Sequence, residues 1–303
     1  MGAAPRPRWP GTLLYVPLLY GAGWLLARPL ALAMPQWRPD QVNLAGAGLS
    51  LLLLLGSLPW RLRVAWGSRT PWQRLGVAAP LAAVVRALLR GVLLAALLLG
   101  GVTAVLLASG AARWRPDLSA GELLNALALL LGVGFAEELV FRGWLWGELD
   151  LQMPHRRAVI VQALLFALVH PWFREAGLAA VGLLGGLFLL GLALAMQRRA
   201  DGGVLWGAVG LHGGLVGGWF ALQKGMIAIA ADAPTWLIGP GGDSRNPVGG
   251  LLGWTGLGIL LLCRSLSPSR DRRPAPAPPC CSAPPRPGAD RSPPPGAGHG
   301  RRP

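Results

Sequence analysis

An all-α, polytopic membrane helix bundle of about eight transmembrane helices, with a disordered C-terminal tail, is the fold this chain points to. Of its 303 residues 53% are hydrophobic and only 14% charged, where a soluble domain carries about 25% charge. Mean hydropathy is positive. Runs such as LSLLLLLGSL (49–58), GVLLAALLLGGVTAVLLA (91–108) and AVGLLGGLFLLGLALAM (180–196) approach or reach bilayer length, about 20 residues for a helix.

Taken in order, apolar length and punctuation give eight spans: 11–33, 42–60, 79–109, 121–147, 157–172, 177–196, 203–223 and 248–263. The first contains Pro17, Arg28 and Pro29 and is the least regular. Its ending, ALALAM, resembles a signal peptide cleaved after Ala33; we read it as an uncleaved helix. With the N-terminus inside, eighteen basic residues fall in cytoplasmic segments and six outside. That asymmetry predicts an N-in, C-in topology. Residues 264–303 are mainly Pro, Arg, Ala, Gly and Ser, too polar to offset their ordering entropy, and read as disordered.

The net charge of +15 is spread between spans rather than along one face, so it reads as orientation signal and contact with anionic lipid, not nucleic-acid binding. Three cysteines, Cys263, Cys280 and Cys281, make no disulfide framework. There is no P-loop, dinucleotide fingerprint or HExxH helix.

The chemistry concentrates in GVGFAEELVFRGWLW (132–146). Twelve Leu, Val or Phe residues in span 121–147 contribute about −0.5 kcal/mol each to insertion. Three ionised groups near its centre cost about +3 kcal/mol each. The balance, roughly −6 against +9, requires pairing or neutralisation. Glu138 and Arg142, four apart, share a helix face and can pair. Glu137 is rotated about 100° away and cannot be neutralised locally. His170 and His212 lie in other spans, and depths along the helices permit one cluster with Glu137. One carboxylate and two imidazoles suit water activation and oxyanion binding, or an open site for a divalent metal such as zinc; the lack of HExxH favours the metal-free form.

These residues resemble the CPBP family of CAAX prenyl proteases and bacteriocin-processing (Abi) enzymes. Its EExxxR motif is matched by Glu137, Glu138 and Arg142, its FxxxH motif by Phe166 and His170, and the His of its HxxxN motif by His212. The fourth residue on is Val216 instead of Asn: either a neighbouring group such as Gln223 or Asn125 substitutes as donor, or turnover is slow, or catalysis has been lost. The resemblance implies three regions: N-terminal helices (1–119), a peptidase core (120–263) and the tail (264–303). It implies an intramembrane endopeptidase with Glu137, His170 and His212 catalytic, and with Glu138, Arg142 and Phe166 supporting. The same Glu137, His170 and His212 are the candidate metal ligands. The implied partners are the bilayer and a membrane-associated protein or peptide substrate, in a bacterial cytoplasmic or a thylakoid membrane. The alternative reading is a non-catalytic membrane scaffold or immunity-type protein that keeps the charged motif for folding.

Overall fold

The computed structural model describes residues 7–242 and 245–266. Each of the eight apolar segments forms a helix: α1 (Trp9–Ala33), α2 (Pro39–Trp66), α3 (Leu81–Ala108), α4 (Ala120–Asp150), α5 (His155–Val169), α6 (Gly177–Ala200), α7 (Trp206–Gly225) and α8 (Leu251–Leu266). Five of these, α1 to α4 and α6, are long and apolar enough to cross a membrane. α5 and α8 are shorter, at 15 and 16 residues, and α7 is rich in glycine. α1 runs unbroken through Pro17 and Pro29, and α8 extends through residues 264–266 of the expected tail. The remainder of that tail, with Cys280 and Cys281, lies outside the described residues.

α7 is the axis of the core. It packs against α3 and α4, while α5 pairs with α6 and α6 also meets α8. Glycine lets the backbones approach. Gly210, Gly214 and Gly218 face Leu88, Ala95 and Leu99 of α3, whereas Gly213 and Gly217 face Leu130 and Ala126 of α4. A Cβ at Gly134 would lie only 2.8 Å from the Cα of Gly213. Gly203 sits in the turn before α7 with φ of 89°, where a side chain would be strained.

Two three-residue strands, β1 (Ala112–Trp114) and β2 (Ile227–Ile229), pair antiparallel and join the ends of α3 and α7. α1 and α2 pack on each other and leave many large side chains exposed, Leu13, Leu18, Leu25 and Leu52 among them. Such a surface suits lipid.

What fastens α1 and α2 to α4 is polar. Glu148 is fully buried, and its carboxylate accepts from Arg61 (2.9 and 2.8 Å), Trp66 (3.1 Å), Trp144 (3.0 Å) and Thr12 (2.6 Å). A second polar junction lies at the turn after α6. There the Asp201 carboxylate accepts from Arg90 of α3 and Gln197 of α6, each at 2.7 Å. Burial pushes the Asp201 carboxyl up, with the Gln197 and Arg90 contacts opposing it.

Candidate active site

α4 is continuous but not uniform. Its backbone widens into π-helical turns over Leu129–Val133 and Leu139–Leu145, with an α-helical segment, Gly134–Glu138, between them. π turns inside α-helices are frequent at functional sites. Glu137 and Glu138 occupy the end of the intervening segment.

Glu138 and Arg142 form the expected pair, 2.8 Å apart and fully buried. The Arg142 guanidinium also donates to the Gly191 carbonyl of α6 (3.3 Å) and lies 4.1 Å from the Phe166 ring centroid. Phe166 is wholly buried, and its ring neighbours those of His170 (4.5 Å) and His212 (5.6 Å). It forms an apolar floor that both imidazoles and the guanidinium share.

His170 owes its position to the residue after it. Pro171 excludes the helical region at the preceding residue, so α5 stops at Val169 and His170 turns extended, at φ −80° and ψ 155°. Its Nδ1 donates to the Phe166 carbonyl at 2.6 Å, one of the carbonyls a helix end leaves unpaired. His212, from the buried face of α7, donates from Nδ1 to Glu138 Oε1 at 2.8 Å. Both histidines therefore hold their Nδ1 protons on fixed acceptors and turn Nε2 toward Glu137.

Glu137 Oε2 lies 3.4 Å from His170 Nε2 and 3.9 Å from His212 Nε2. That oxygen is buried and makes no hydrogen bond, although the Glu137 side chain as a whole keeps 31% of its exposure and His170 22%. The three residues from three helices thus converge, and Glu138, Arg142 and Phe166 pack directly behind them. The sequence paired Glu138 with Arg142 alone. In the structure Glu138 also anchors His212, a contact 74 residues away in the chain that helical spacing cannot reveal.

Neither substitute for the missing Asn is in place. Gln223 donates to the Arg245 carbonyl at 3.0 Å, eleven residues along α7 from His212, or about 16 Å. Asn125 is exposed and about 18 Å along α4 from Glu137. Val216, one turn beyond His212, brings no donor.

Sequence reasoning missed Gln162, fully buried, which donates to the same Gly191 carbonyl as Arg142, at 3.3 Å. A glutamine in the middle of an apolar helix was the available signal. It missed Glu148 as well, a carboxylate as far inside the fold as Glu138.

Compared with known families, residues 119–217 match the model described as Type II CAAX prenyl endopeptidase Rce1-like. Residues 1–70 match a domain of unknown function, DUF8676. No curated protein and no solved structure matches the chain.

Proposed function

Starting from a core that the type II CAAX prenyl endopeptidase family matches over residues 119–217, we propose that this protein is an intramembrane endopeptidase. It hydrolyses a peptide bond of a membrane-associated protein or peptide. The observation that carries the reading is the unbonded Glu137 Oε2 facing two imidazole nitrogens.

A water between Glu137 and His170 loses a proton to the carboxylate as it attacks the scissile carbonyl carbon. His170, its Nδ1 on the Phe166 carbonyl, orients that water through Nε2. His212 stands opposite as oxyanion donor. Because its Nδ1 proton is committed to Glu138, donation from Nε2 needs the doubly protonated ring, with Glu138 as its counter-charge. Glu137 then passes the proton it took to the departing amine. Glu137 Oε2 and the Nε2 atoms of His170 and His212 are also the donors that would hold a divalent metal such as zinc, but no step here runs through one.

The test is cleavage of a membrane-anchored peptide library by the full chain reconstituted in lipid. Glu137→Gln is nearly isosteric and should lower the rate by about 10³ or more while leaving the thermal unfolding midpoint in place. Chelation and dialysis should leave the wild-type rate unchanged. Stoichiometric zinc whose removal stops cleavage and whose return restores it would replace the metal-free mechanism. Val216 favours the second reading, a non-catalytic scaffold or immunity-type protein, because the site lacks the donor the family pattern supplies. No cleavage by wild type across the library, with Glu137→Gln behaving identically, would establish it.

A further inference from the structure

Away from the Glu137 cluster, the loop between α2 and α3 and the turn between α6 and α7 line an open cavity of about 720 Å³. Its lining includes Arg74, Gly76, Pro80, Arg198, Gly203 and Val204. The volume falls within the range of small-molecule sites, about 300–1,000 Å³. What distinguishes it is a guanidinium that no carboxylate contacts directly among the described residues, Glu138 and Asp150 acting on Arg198 only through space. Arg198 donates from Nε to the Gly203 carbonyl (3.1 Å), from one Nη to the Leu75 carbonyl (3.0 Å) and from the other to the Arg142 carbonyl. Carbonyls fix the fork in place but do not cancel its charge. A guanidinium has five N–H donors, and these three bonds leave two unspent.

The direct partners of the neighbouring carboxylates are other side chains. Asp201 is held by Arg90 and Gln197, Glu138 by Arg142 and His212, and Asp150 by His155. Among the described residues neither Arg198 nor Arg74 forms an ion pair. A cation fixed at a cavity wall and unpaired is costly unless an anion completes it. Arg74, exposed at the mouth, adds a second guanidinium to the same space. Planar forks of this kind match phosphate oxygens in pairs.

We infer that this cavity binds a phosphate-bearing anion, the headgroup of an anionic lipid or a free phosphate, between Arg74 and Arg198. Pro80 and Val204 give the same cavity an apolar wall, which suits the start of a lipid acyl chain more than a hydrated ion. The segments that form it carry arginines of the side that reads as cytoplasmic, where anionic lipid concentrates. Through the Arg142 carbonyl, Arg198 also touches the helix that bears Glu137 and Glu138, so the occupant steadies α4.

The experiment uses the full chain in nanodiscs of phosphatidylcholine alone or with added phosphatidylglycerol. Retained lipid is read by native mass spectrometry and the thermal midpoint is followed with and without inorganic phosphate. Wild type should retain phosphatidylglycerol and unfold at a higher temperature. Arg74→Gln, at an exposed position that leaves the fold intact, should weaken retention about tenfold, the loss of one or two charge-assisted hydrogen bonds. Arg198→Gln should abolish retention; if it misfolds, the Arg74 variant decides alone. A phosphate effect in phosphatidylcholine discs that Arg74→Gln removes assigns the site to free phosphate. An effect confined to phosphatidylglycerol assigns it to the headgroup. Binding of both anions unchanged by Arg74→Gln, or no binding of either, overturns the inference.

Discussion

At the scale of single residues, the buried ion pair sets what each substitution does. Arg142→Ala leaves buried Glu138 with His212 but without its guanidinium, and removes the cation stacked on Phe166. Breaking a fully buried pair this way costs roughly 3–5 kcal/mol, and unfolding in detergent should show a loss of that order for Arg142→Ala but not for Glu137→Gln. Equal losses would make Glu137 structural too. Val216→Asn tests the opposite direction. It places an amide one turn beyond His212, beside the oxyanion that the proposed mechanism assigns to that residue, and kcat of the proposed cleavage should rise by about 10²-fold, the size of one such donor, with KM little changed. The carboxylate–guanidinium pair was legible because it is local, four residues within one helix. The anchoring of His212 on Glu138 was not, because it depends on how α7 rolls against α4.

Among the elements, α4 and α7 decide the site together. Gly134 and Gly213 meet backbone to backbone, so adding a side chain there must push the helices apart. Gly134→Leu should cost about 1–3 kcal/mol from overpacking and lose most cleavage, since Glu137 rides on one helix and His212 on the other. Retained activity with full stability would mean that the site tolerates separation. All eight helices were readable from apolar run length. The π turns of α4 were not: each holds one glycine, Gly132 and Gly143, but a lone glycine inside an apolar helix reads equally as a packing position. The β1–β2 pair also escaped notice, since three-residue strands more than a hundred positions apart have no pattern to detect.

For the molecule as a whole, the carboxylate of Glu148 is the bolt between the first two helices and α4. Glu148→Gln keeps the shape but leaves Arg61 facing a neutral amide and exchanges an acceptor for a donor opposite two indoles. We expect a lower thermal midpoint and faster proteolysis in the 67–80 connection, with the cluster around Glu137 unchanged in the surviving folded fraction. A thermal midpoint equal to that of wild type would show that apolar packing alone holds α1 and α2. The sequence placed Arg61 in a cytoplasmic segment as an orientation signal and passed over Glu148. A bond across 87 residues has no signature in spacing.

The glycine-lined faces of α7 have a consequence for how this protein can vary. Every substitution at Gly210, Gly213, Gly214 or Gly217 adds volume, because nothing is smaller, so drift at these positions has only one direction and it is harmful. The lipid-facing leucines of α1 and α2 can be exchanged for other apolar residues at little cost, since fluid acyl chains adapt to any of them. A saturation scan would therefore invert the usual association of hydrophobicity with constraint. The greasiest helices would accept nearly any apolar exchange, and the helix with the least side chain would accept almost none.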